Sequence, residues 1–427
     1  MKTIAALLYL FTISSFAFAQ PELEAWMLNT SGTFAEYDTT PAPGGLVVMD
    51  ELADVTEVCF DLDYVYIVCE GLASYTMGPW SNPNVPIAQG FTFRINRNPV
   101  KEEGMPMDQP KGGIGVAING VKLYGYTDDK SYDPETNSDQ PTPVGDDIWH
   151  SDAWYNEGST MDVTGAGHPD GAGIYHHHAT PKTLYTFPST EHSPIVGYMF
   201  DGFPIYGPFG YSDSIDTGSS IVRIETSYQI RDITERTILP DGSPSIPAGP
   251  IVTGDGSFDI GHYVEDYEYI PGFGHLDRLN GRWCKTPEYP AGTYAYFVTT
   301  DAVGDPAFPY FIGAQYYGEA IPADVGANSG TATIPGAANC NVSIEEYVST
   351  AALEIYPNPS KDEINLSHNI EGEVTLTVTA MDGKVLLNEI QNTTTQITLD
   401  FSSYAPGIYL ISIKNGNDVV TKRVIKN

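Results

Sequence analysis

Positive charge is scarce in this sequence. Lysine and arginine together account for 20 of the 427 residues, against 55 aspartates and glutamates, and the formal net charge is −35. A protein surface of that sign repels the phosphates of nucleic acids and the headgroups of anionic membranes. The composition therefore argues against a nucleic-acid partner and suits a soluble, exported protein.

Common catalytic and cofactor signatures are missing as well. The chain contains no Gly-x-Ser-x-Gly, no His-Glu-x-x-His, no phosphate-binding loop and no dinucleotide fingerprint. Their absence argues against the commonest hydrolases and against a nucleotide cofactor. The catalytic residues stay unknown from the sequence, and whether the protein is an enzyme is left open.

Long apolar runs are confined to the N-terminus. Lys2 precedes a largely apolar stretch, residues 4–18, and Ala17-Phe18-Ala19 has the small-x-small form that signal peptidase prefers. Residues 1–19 are therefore predicted to be a signal peptide. The run is short for a bilayer span and no later stretch is long enough, so we expect no transmembrane segment after signal cleavage.

Cysteine is rare, and its spacing is uninformative about metals. Cys59, Cys69, Cys284 and Cys340 are the only four, and none has the Cys-x-x-Cys spacing of a zinc or redox site. An exported protein can form disulfides, and four cysteines allow three pairings. Cys59 and Cys69 flank a segment rich in Val, Tyr and Ile that reads as a hairpin, which favours their pairing; four free thiols are the alternative.

Glycine, proline and tyrosine are abundant, with 42, 32 and 28 residues, whereas long amphipathic helical patterns are few. This composition is typical of strands, turns and ordered loops. We predict a mainly β protein, with a large, irregular, loop-rich β domain at residues 20–320 and a small Ig-like β-sandwich at 353–427. Residues 321–352, rich in small residues and without Lys or Arg, are predicted to be a linker.

Histidines are concentrated in one stretch. Five of the nine lie in residues 167–209: His168, His176, His177, His178 and His192. If residues 174–179 form a strand, His176 and His178 point to one face and His177 to the other.

Two imidazoles on one face can bind one transition metal, and copper or zinc suits them best. The pattern predicts a metal site made by His176, His178 and His168. Further ligands, or side chains that orient the ligands, would be His150, His192 and Asp201. The alternative is that these histidines are structural and bond to backbone groups.

Several motifs resemble those of the YHYH domain family of bacterial proteins. They are Gly78-Pro79-Trp80, Asn82-Pro83-Asn84, Asn119-Gly120-Val121, Trp149-His150, Gly167-His168-Pro169, Tyr175-His176-His177-His178, His192-Ser193-Pro194, Asp201-Gly202-Phe203-Pro204-Ile205-Tyr206-Gly207, Leu276-Asp277, Asn280-Gly281-Arg282 and Gly292-Thr293-Tyr294. The chain departs from the family pattern in its Tyr-His-His-His motif, in lacking a cysteine shortly before Gly-His-Pro, and in a second motif that reads Tyr294-Ala295-Tyr296-Phe297. The resemblance implies architecture more than activity.

The C-terminal segment resembles the type A sorting domain of the type IX secretion system of Bacteroidetes. The matching motifs are Tyr356-Pro357-Asn358-Pro359, Met381-Asp382-Gly383-Lys384-Val385, Gly407-Ile408-Tyr409 and Lys422-Arg423-Val424-Ile425-Lys426. The resemblance implies export across the outer membrane, with the secretion machinery and its sortase as partners. The protein would then be secreted or attached to the surface of a Gram-negative bacterium.

Three functions agree with these patterns. The first is a secreted or surface protein that binds a transition metal through the histidines. The second is a hydrolase or oxidoreductase that uses the same site, either with a metal or with a His–carboxylate pair. The third is a surface module that binds carbohydrate or protein and whose histidines are structural. The sequence does not name a small-molecule or glycan ligand.

Overall fold

The computed structural model describes residues 20–39, 44–340, 353–368, 373–380, 385–392, 396–415 and 418–426. The predicted signal peptide and the second part of the predicted linker, residues 341–352, lie outside the described residues. The protein is mainly β, with 38% strand and 6% helix. It divides into two compact units, Met1–Val342 and Ser343–Asn427.

The described part of the first unit contains twenty strands. They are β1 (Phe34–Asp38), β2 (Leu46–Leu52), β3 (Val55–Phe60), β4 (Tyr64–Cys69), β5 (Phe91–Asn96), β6 (Gly113–Ala117), β7 (Lys122–Tyr124), β8 (Thr127–Asp133), β9 (Ser138–Pro141), β10 (His150–Asp152), β11 (Gly167–Pro169), β12 (Tyr175–His177), β13 (Ile195–Met199), β14 (Pro204–Tyr206), β15 (Phe209–Tyr211), β16 (Ile221–Arg223), β17 (Tyr228–Ile230), β18 (Tyr267–Tyr269), β19 (Gly281–Cys284) and β20 (Thr293–Phe297).

Helices in this unit are short. The α-helices are α1 (Pro21–Glu24) and α2 (Ala153–Glu157), and single 3₁₀ turns cover Gly158–Thr160, Lys182–Leu184, Val264–Asp266 and Pro322–Asp324. Among the described residues, no helix is long and apolar enough to cross a membrane.

An eight-stranded mixed sheet forms the centre of the first unit, in the order β11-β12-β7-β6-β13-β14-β20-β19. Every residue of β6, β13 and β20 is buried, because loops and smaller sheets cover both faces. Strands buried on both faces are apolar throughout rather than alternating, as the sequences of β13 and β20 show. The histidine-bearing strands β11 and β12 lie at one edge of this sheet.

Asn119-Gly120, a dipeptide typical of tight hairpin turns, joins β6 to β7 in antiparallel register. Gly120 has a φ of 82°, and a Cβ there would lie 2.8 Å from Sγ of Cys69. Glycine therefore satisfies both the turn and the close packing at this position. The side chains of β5 alternate, since Phe91, Phe93 and Ile95 are buried and the residues between them are half-buried.

The expected Cys59–Cys69 disulfide is wrong. The structure pairs Cys59 with Cys340, whereas Cys69 and Cys284 are free and buried. Strands β3 and β4 do form the predicted hairpin, but Cys59 lies opposite Tyr66. Cys69 is three residues further along β4, roughly 10 Å away at about 3.3 Å per residue, which is beyond disulfide reach.

The first part of the predicted linker belongs to the first unit instead. Residues 321–340 run along it and form single β-bridges: Gly113↔Gly326, Thr92↔Thr331 and Phe60↔Asn339. Val325 is buried in the same hydrophobic core as the central sheet, and Cys340 bonds to β3. The small residues that suggested a linker instead allow this segment to pack closely against the strands.

The second unit is the predicted Ig-like β-sandwich. Its strands are β21 (Leu353–Tyr356), β22 (Glu363–His368), β23 (Glu373–Ala380), β24 (Val385–Asn392), β25 (Gln396–Asp400), β26 (Gly407–Asn415) and β27 (Asp418–Lys426). They form two sheets, in the orders β21-β22-β25 and β24-β23-β26-β27. Alternate apolar side chains such as Ile364, Leu366, Leu376 and Ile411 fill one core, as expected for two facing antiparallel sheets.

Candidate metal centre

Strand pairing brings the three predicted histidine ligands together. Strands β11 and β12 are antiparallel, and His168 lies directly opposite His176. Residues directly opposite each other share a face of the sheet, and their ring centroids are 4.8 Å apart. The ring of His178, two residues after His176, is 4.9 Å from the His176 ring. All three imidazoles are buried.

Backbone carbonyls fix the orientation of two of these rings. Nδ1 of His176 lies 2.9 Å from the carbonyl oxygen of Ile174, and Nδ1 of His178 lies 2.7 Å from that of Gly125. A carbonyl only accepts, so in both rings Nδ1 carries the proton and donates it. Each Nε2 of these neutral rings therefore keeps a free lone pair, as a metal ligand requires.

A threonine does the same for the third ring. The hydroxyl of Thr160 donates to the carbonyl oxygen of Glu157 at 2.8 Å. Having used its proton there, Oγ1 of Thr160 accepts from Nδ1 of His168 at 2.9 Å. In its neutral form, His168 therefore also presents an unprotonated Nε2.

The fourth donor is the carboxylate of Glu157, at the end of helix α2. Its Oε2 lies 3.3 Å from Nε2 of His168 and 3.6 Å from Nε2 of His178. One ligand atom from each of these residues and from His176 lies within 4.8 Å of all the others. Neighbouring donors of a tetrahedral site with metal–ligand distances of about 2.0–2.1 Å are roughly 3.3–3.4 Å apart, so the Glu157 distances match that geometry.

The protonation states also suit a cation. Burial lowers the pKa of His176 well below its usual value, with a further contribution from His178 and His168, and burial lowers the pKa of His178. Burial raises the pKa of the Glu157 carboxyl. The hydrogen bond from His168 and the positive charges of His178 and His168 in their protonated forms have a larger effect in the opposite direction, so the pKa of Glu157 is lowered overall. Neutral imidazoles beside an ionised carboxylate are the state that a divalent metal binds.

The centre opens onto a cleft of about 540 Å³. Its walls include Asn84, Lys111, Tyr124, Lys130 and Asp170 in addition to the four donors. The Tyr124 ring stacks on His176 with centroids 4.1 Å apart, and its hydroxyl donates to Asp170 at 3.3 Å. The side chain of Glu157 is 27% exposed, whereas those of His168 and His178 are each 6% exposed, so Glu157 is the most exposed of these three donors.

Comparison with protein families places these residues in a known group. A family model described as YHYH protein matches residues 92–307, just over half of the chain, and all four donors lie within that span. The chain belongs to the YHYH protein family. A second model, a secretion system C-terminal sorting domain, matches residues 354–427 and implies export through the type IX secretion system. No curated protein matches the chain.

Two further histidines of the YHYH domain lie in other surroundings. His150 sits between two carboxylates, with Nδ1 2.8 Å from Glu265 and Nε2 3.3 Å from Asp147. Nδ1 of His192 donates to the carbonyl oxygen of Ser193 at 2.8 Å, and its ring packs on Tyr211. Neither belongs to the group of converging donors.

Asp201 and His177 are also directed elsewhere in the YHYH domain. Asp201 is buried and accepts from the Tyr296 hydroxyl at 2.7 Å and from the Gly318 N–H at 2.9 Å. Burial raises its pKa to about 6. His177 is fully buried on the opposite face of β12, with its ring 5.7 Å from that of Tyr175.

The sequence did not single out Glu157 or Thr160. Glu157 is one of 55 acidic residues, and it stands ten or more positions before the histidines of the motif. The only local signal is Asp152, whose side chain caps helix α2 by accepting from the Tyr155 N–H. A capping residue predicts where a helix begins, but not which metal-binding side chains it will face.

Proposed function

We propose that the YHYH domain binds one transition-metal ion through Nε2 of His168, His176 and His178 and the carboxylate of Glu157. The protein that carries it is exported by the type IX system and then released or retained at the surface of a Gram-negative bacterium. The observation that supports metal binding is that one ligand atom from each of these four residues lies within 4.8 Å of the others, while the Nδ1 atoms of the three rings are bonded to other groups.

This arrangement is difficult to explain as hydrogen bonding among the side chains themselves. While the rings are neutral, each Nε2 is an acceptor, because the single ring proton is on Nδ1 in all three histidines. The Glu157 carboxylate, which is also an acceptor, adds negative charge at 3.3 Å from His168. Four acceptors facing one another repel, whereas a cation between them would satisfy all four.

Zinc is the first choice and copper the second. Histidine and carboxylate side chains are common zinc ligands, and three imidazoles and one carboxylate, with donor atoms within 4.8 Å of one another, can supply its four positions. Copper(II) binds imidazole tightly but prefers a tetragonal arrangement, and copper(I) prefers sulfur ligands. None of the four donors is a sulfur.

A second candidate function is catalysis at the same centre. The adjoining cleft of about 540 Å³ is large enough for a small substrate, and the partly exposed Glu157 faces it. A bound metal would supply Lewis-acid chemistry or activate water. If the three histidines alone held the metal, Glu157 would be free to hold or move a proton at its carboxylate, and the reaction would be that of a hydrolase or oxidoreductase.

Elemental analysis of the full-length protein tests metal binding. The protein is stripped with a chelator, reloaded with zinc or copper, and freed of excess metal before analysis. We expect one equivalent for the wild type and none for His176→Ala/His178→Ala, because two of the four donors are removed. His192→Ala, which changes a histidine outside the centre, should keep one equivalent.

Two outcomes would contradict the proposal. One is a wild-type protein that retains no metal, and the other is a double variant that retains as much as the wild type. The first would leave a surface binding module with structural histidines as the remaining function. Turnover of a panel of substrates by the reloaded protein separates the catalytic candidate from simple metal binding.

A further inference from the structure

Asp152 is a buried carboxylate with no role in the centre described so far. It is fully buried, and its two oxygens accept from the Tyr310 hydroxyl at 2.8 and 2.9 Å. Oδ1 also accepts from the N–H of Tyr155 at 2.8 Å, which caps helix α2. Burial raises the pKa of Asp152 to about 7, although these hydrogen bonds act in the opposite direction.

The helix that Asp152 caps leads directly to the metal centre. Glu157 is its last residue, and Thr160 lies in the 3₁₀ turn that follows. The carboxylate of Glu157 is one donor, and Thr160 orients the ring of a second donor, His168. The position of this short segment therefore sets two of the four donors.

Helix α2 has only five residues. A helix this short has almost no stability of its own, so tertiary contacts must fix its position. Its start is held by the Tyr310 hydroxyl and by two backbone bonds, from the Asp152 N–H to the His262 carbonyl and from the Ala153 N–H to the Tyr126 carbonyl. Its other end carries Glu157 and faces the cleft.

Tyr310 is itself held firmly in the body of the YHYH domain. Its N–H donates to the Ala307 carbonyl at 3.0 Å, and its carbonyl accepts from the Thr299 N–H at 3.1 Å. The side chain is 2% exposed, and its ring packs against Phe308. The firmly held Tyr310 hydroxyl thus donates its hydrogen bond at the start of helix α2, which has little stability of its own.

We propose that Asp152 and Tyr310 are positioning residues for the metal centre. Their hydrogen bond holds helix α2 so that the Glu157 carboxylate, and the His168 ring through Thr160, stand at binding distance. This inference rests on the proposed metal-binding function. It predicts that removing one hydroxyl outside the donor set weakens metal binding without removing a ligand.

The test is the variant Tyr310→Phe, which deletes the hydroxyl and keeps the packed ring. Zinc affinity is measured by competition with a chromophoric chelator, on full-length protein at a temperature where every variant is folded. We expect roughly tenfold weaker binding at unchanged stoichiometry, the lower end of the effect of removing an outer hydrogen bond.

Tyr294→Phe is the matched control. Tyr294 is also 2% exposed, and its hydroxyl also donates to both oxygens of one aspartate, Asp277, at 2.9 and 3.0 Å. The two variants should lose similar amounts of stability, but Tyr294→Phe should keep the wild-type zinc affinity. Equal affinities of the wild type and Tyr310→Phe would overturn the proposal.

A double-mutant cycle with Glu157→Gln shows whether the effect passes through Glu157. In the Glu157→Gln background we expect Tyr310→Phe to change zinc affinity by less than about threefold, because one of the two positioned donors is already impaired. An undiminished tenfold effect would contradict this route. If the wild type binds no zinc, it is the proposed function that fails, so the two failures are distinguishable.

Discussion

Replacing Thr160 by valine should weaken metal binding through a change of tautomer at His168. Valine has nearly the same shape as threonine but cannot accept the proton that Nδ1 of His168 donates at 2.9 Å. The ring is 5% exposed, so water is a poor substitute. A neutral ring would then move its proton to Nε2, which faces the Glu157 carboxylate at 3.3 Å, and the lone pair for the metal would be lost.

The size of the effect follows from the two states available to the variant. Keeping the proton on Nδ1 leaves a buried donor unsatisfied, at a cost of about 1–3 kcal/mol. Moving it to Nε2 avoids that cost, but the metal must then displace the proton. Metal binding must return the proton to Nδ1 and leave that donor unsatisfied, which should weaken zinc affinity by about 10- to 100-fold, or roughly 1.4–2.7 kcal/mol.

Competition with a chromophoric chelator measures the zinc affinity, and ring ¹⁵N shifts of metal-free protein report the tautomer. Thr286→Val is the control, because the hydroxyl of Thr286 likewise bonds to a side chain, Tyr206, but lies outside the centre. If Thr160→Val binds zinc within twofold of the wild type and keeps the Nδ1–H tautomer, our account of how His168 is oriented is wrong.

Two further predictions concern stability. Burial lowers the pKa of Lys122 from 10.5 to about 8, so keeping this side chain charged in the folded protein costs about 3 kcal/mol. Lys122→Met removes that cost but also the contact of the ammonium group with the Phe91 ring at 4.0 Å. The substitution should therefore raise the free energy of unfolding at pH 7 by roughly 1–3 kcal/mol. Because the folded state loses this proton at a lower pH than the unfolded state, wild-type stability should approach that of the variant between pH 8 and 10.5. Urea denaturation of the two metal-free proteins measures this. A stability difference that stays constant or widens as the pH rises would contradict the prediction. Cys59→Ser/Cys340→Ser should lower the free energy of unfolding by about 2–5 kcal/mol, since the bond joins residues 281 apart; chemical denaturation that gives equal values would refute it.

Local periodicity predicted that the three histidines lie close together. Alternation along a strand assigned His176 and His178 to one face, and the nearby His168 was the expected third member. The structure adds the reason for its proximity, which is the antiparallel register that sets His168 opposite His176. Patterns of this kind depend on residues that are close in sequence, so a single chain displays them.

Contacts between distant segments could not be read in the same way. Glu157 reaches the histidines because Asp152 and the hydroxyl of Tyr310, 158 residues later in the chain, hold its helix in place. Likewise, Cys59 bonds to Cys340 because residues 321–340 pack back onto β6, β5 and β3. Neither contact leaves a local pattern, since each depends on how the whole domain closes.

The Cys59–Cys340 bond turns most of the first unit into a covalently closed ring of chain. All four donor residues lie inside that ring, and the C-terminal sandwich lies outside it. A peptide-bond cut between Cys340 and Leu353 would therefore separate the sorting domain from the first unit, while residues 321–340 stay joined to β3 through the disulfide. The sorting domain can thus be removed after export without opening the disulfide-closed part of the chain that contains the four donor residues.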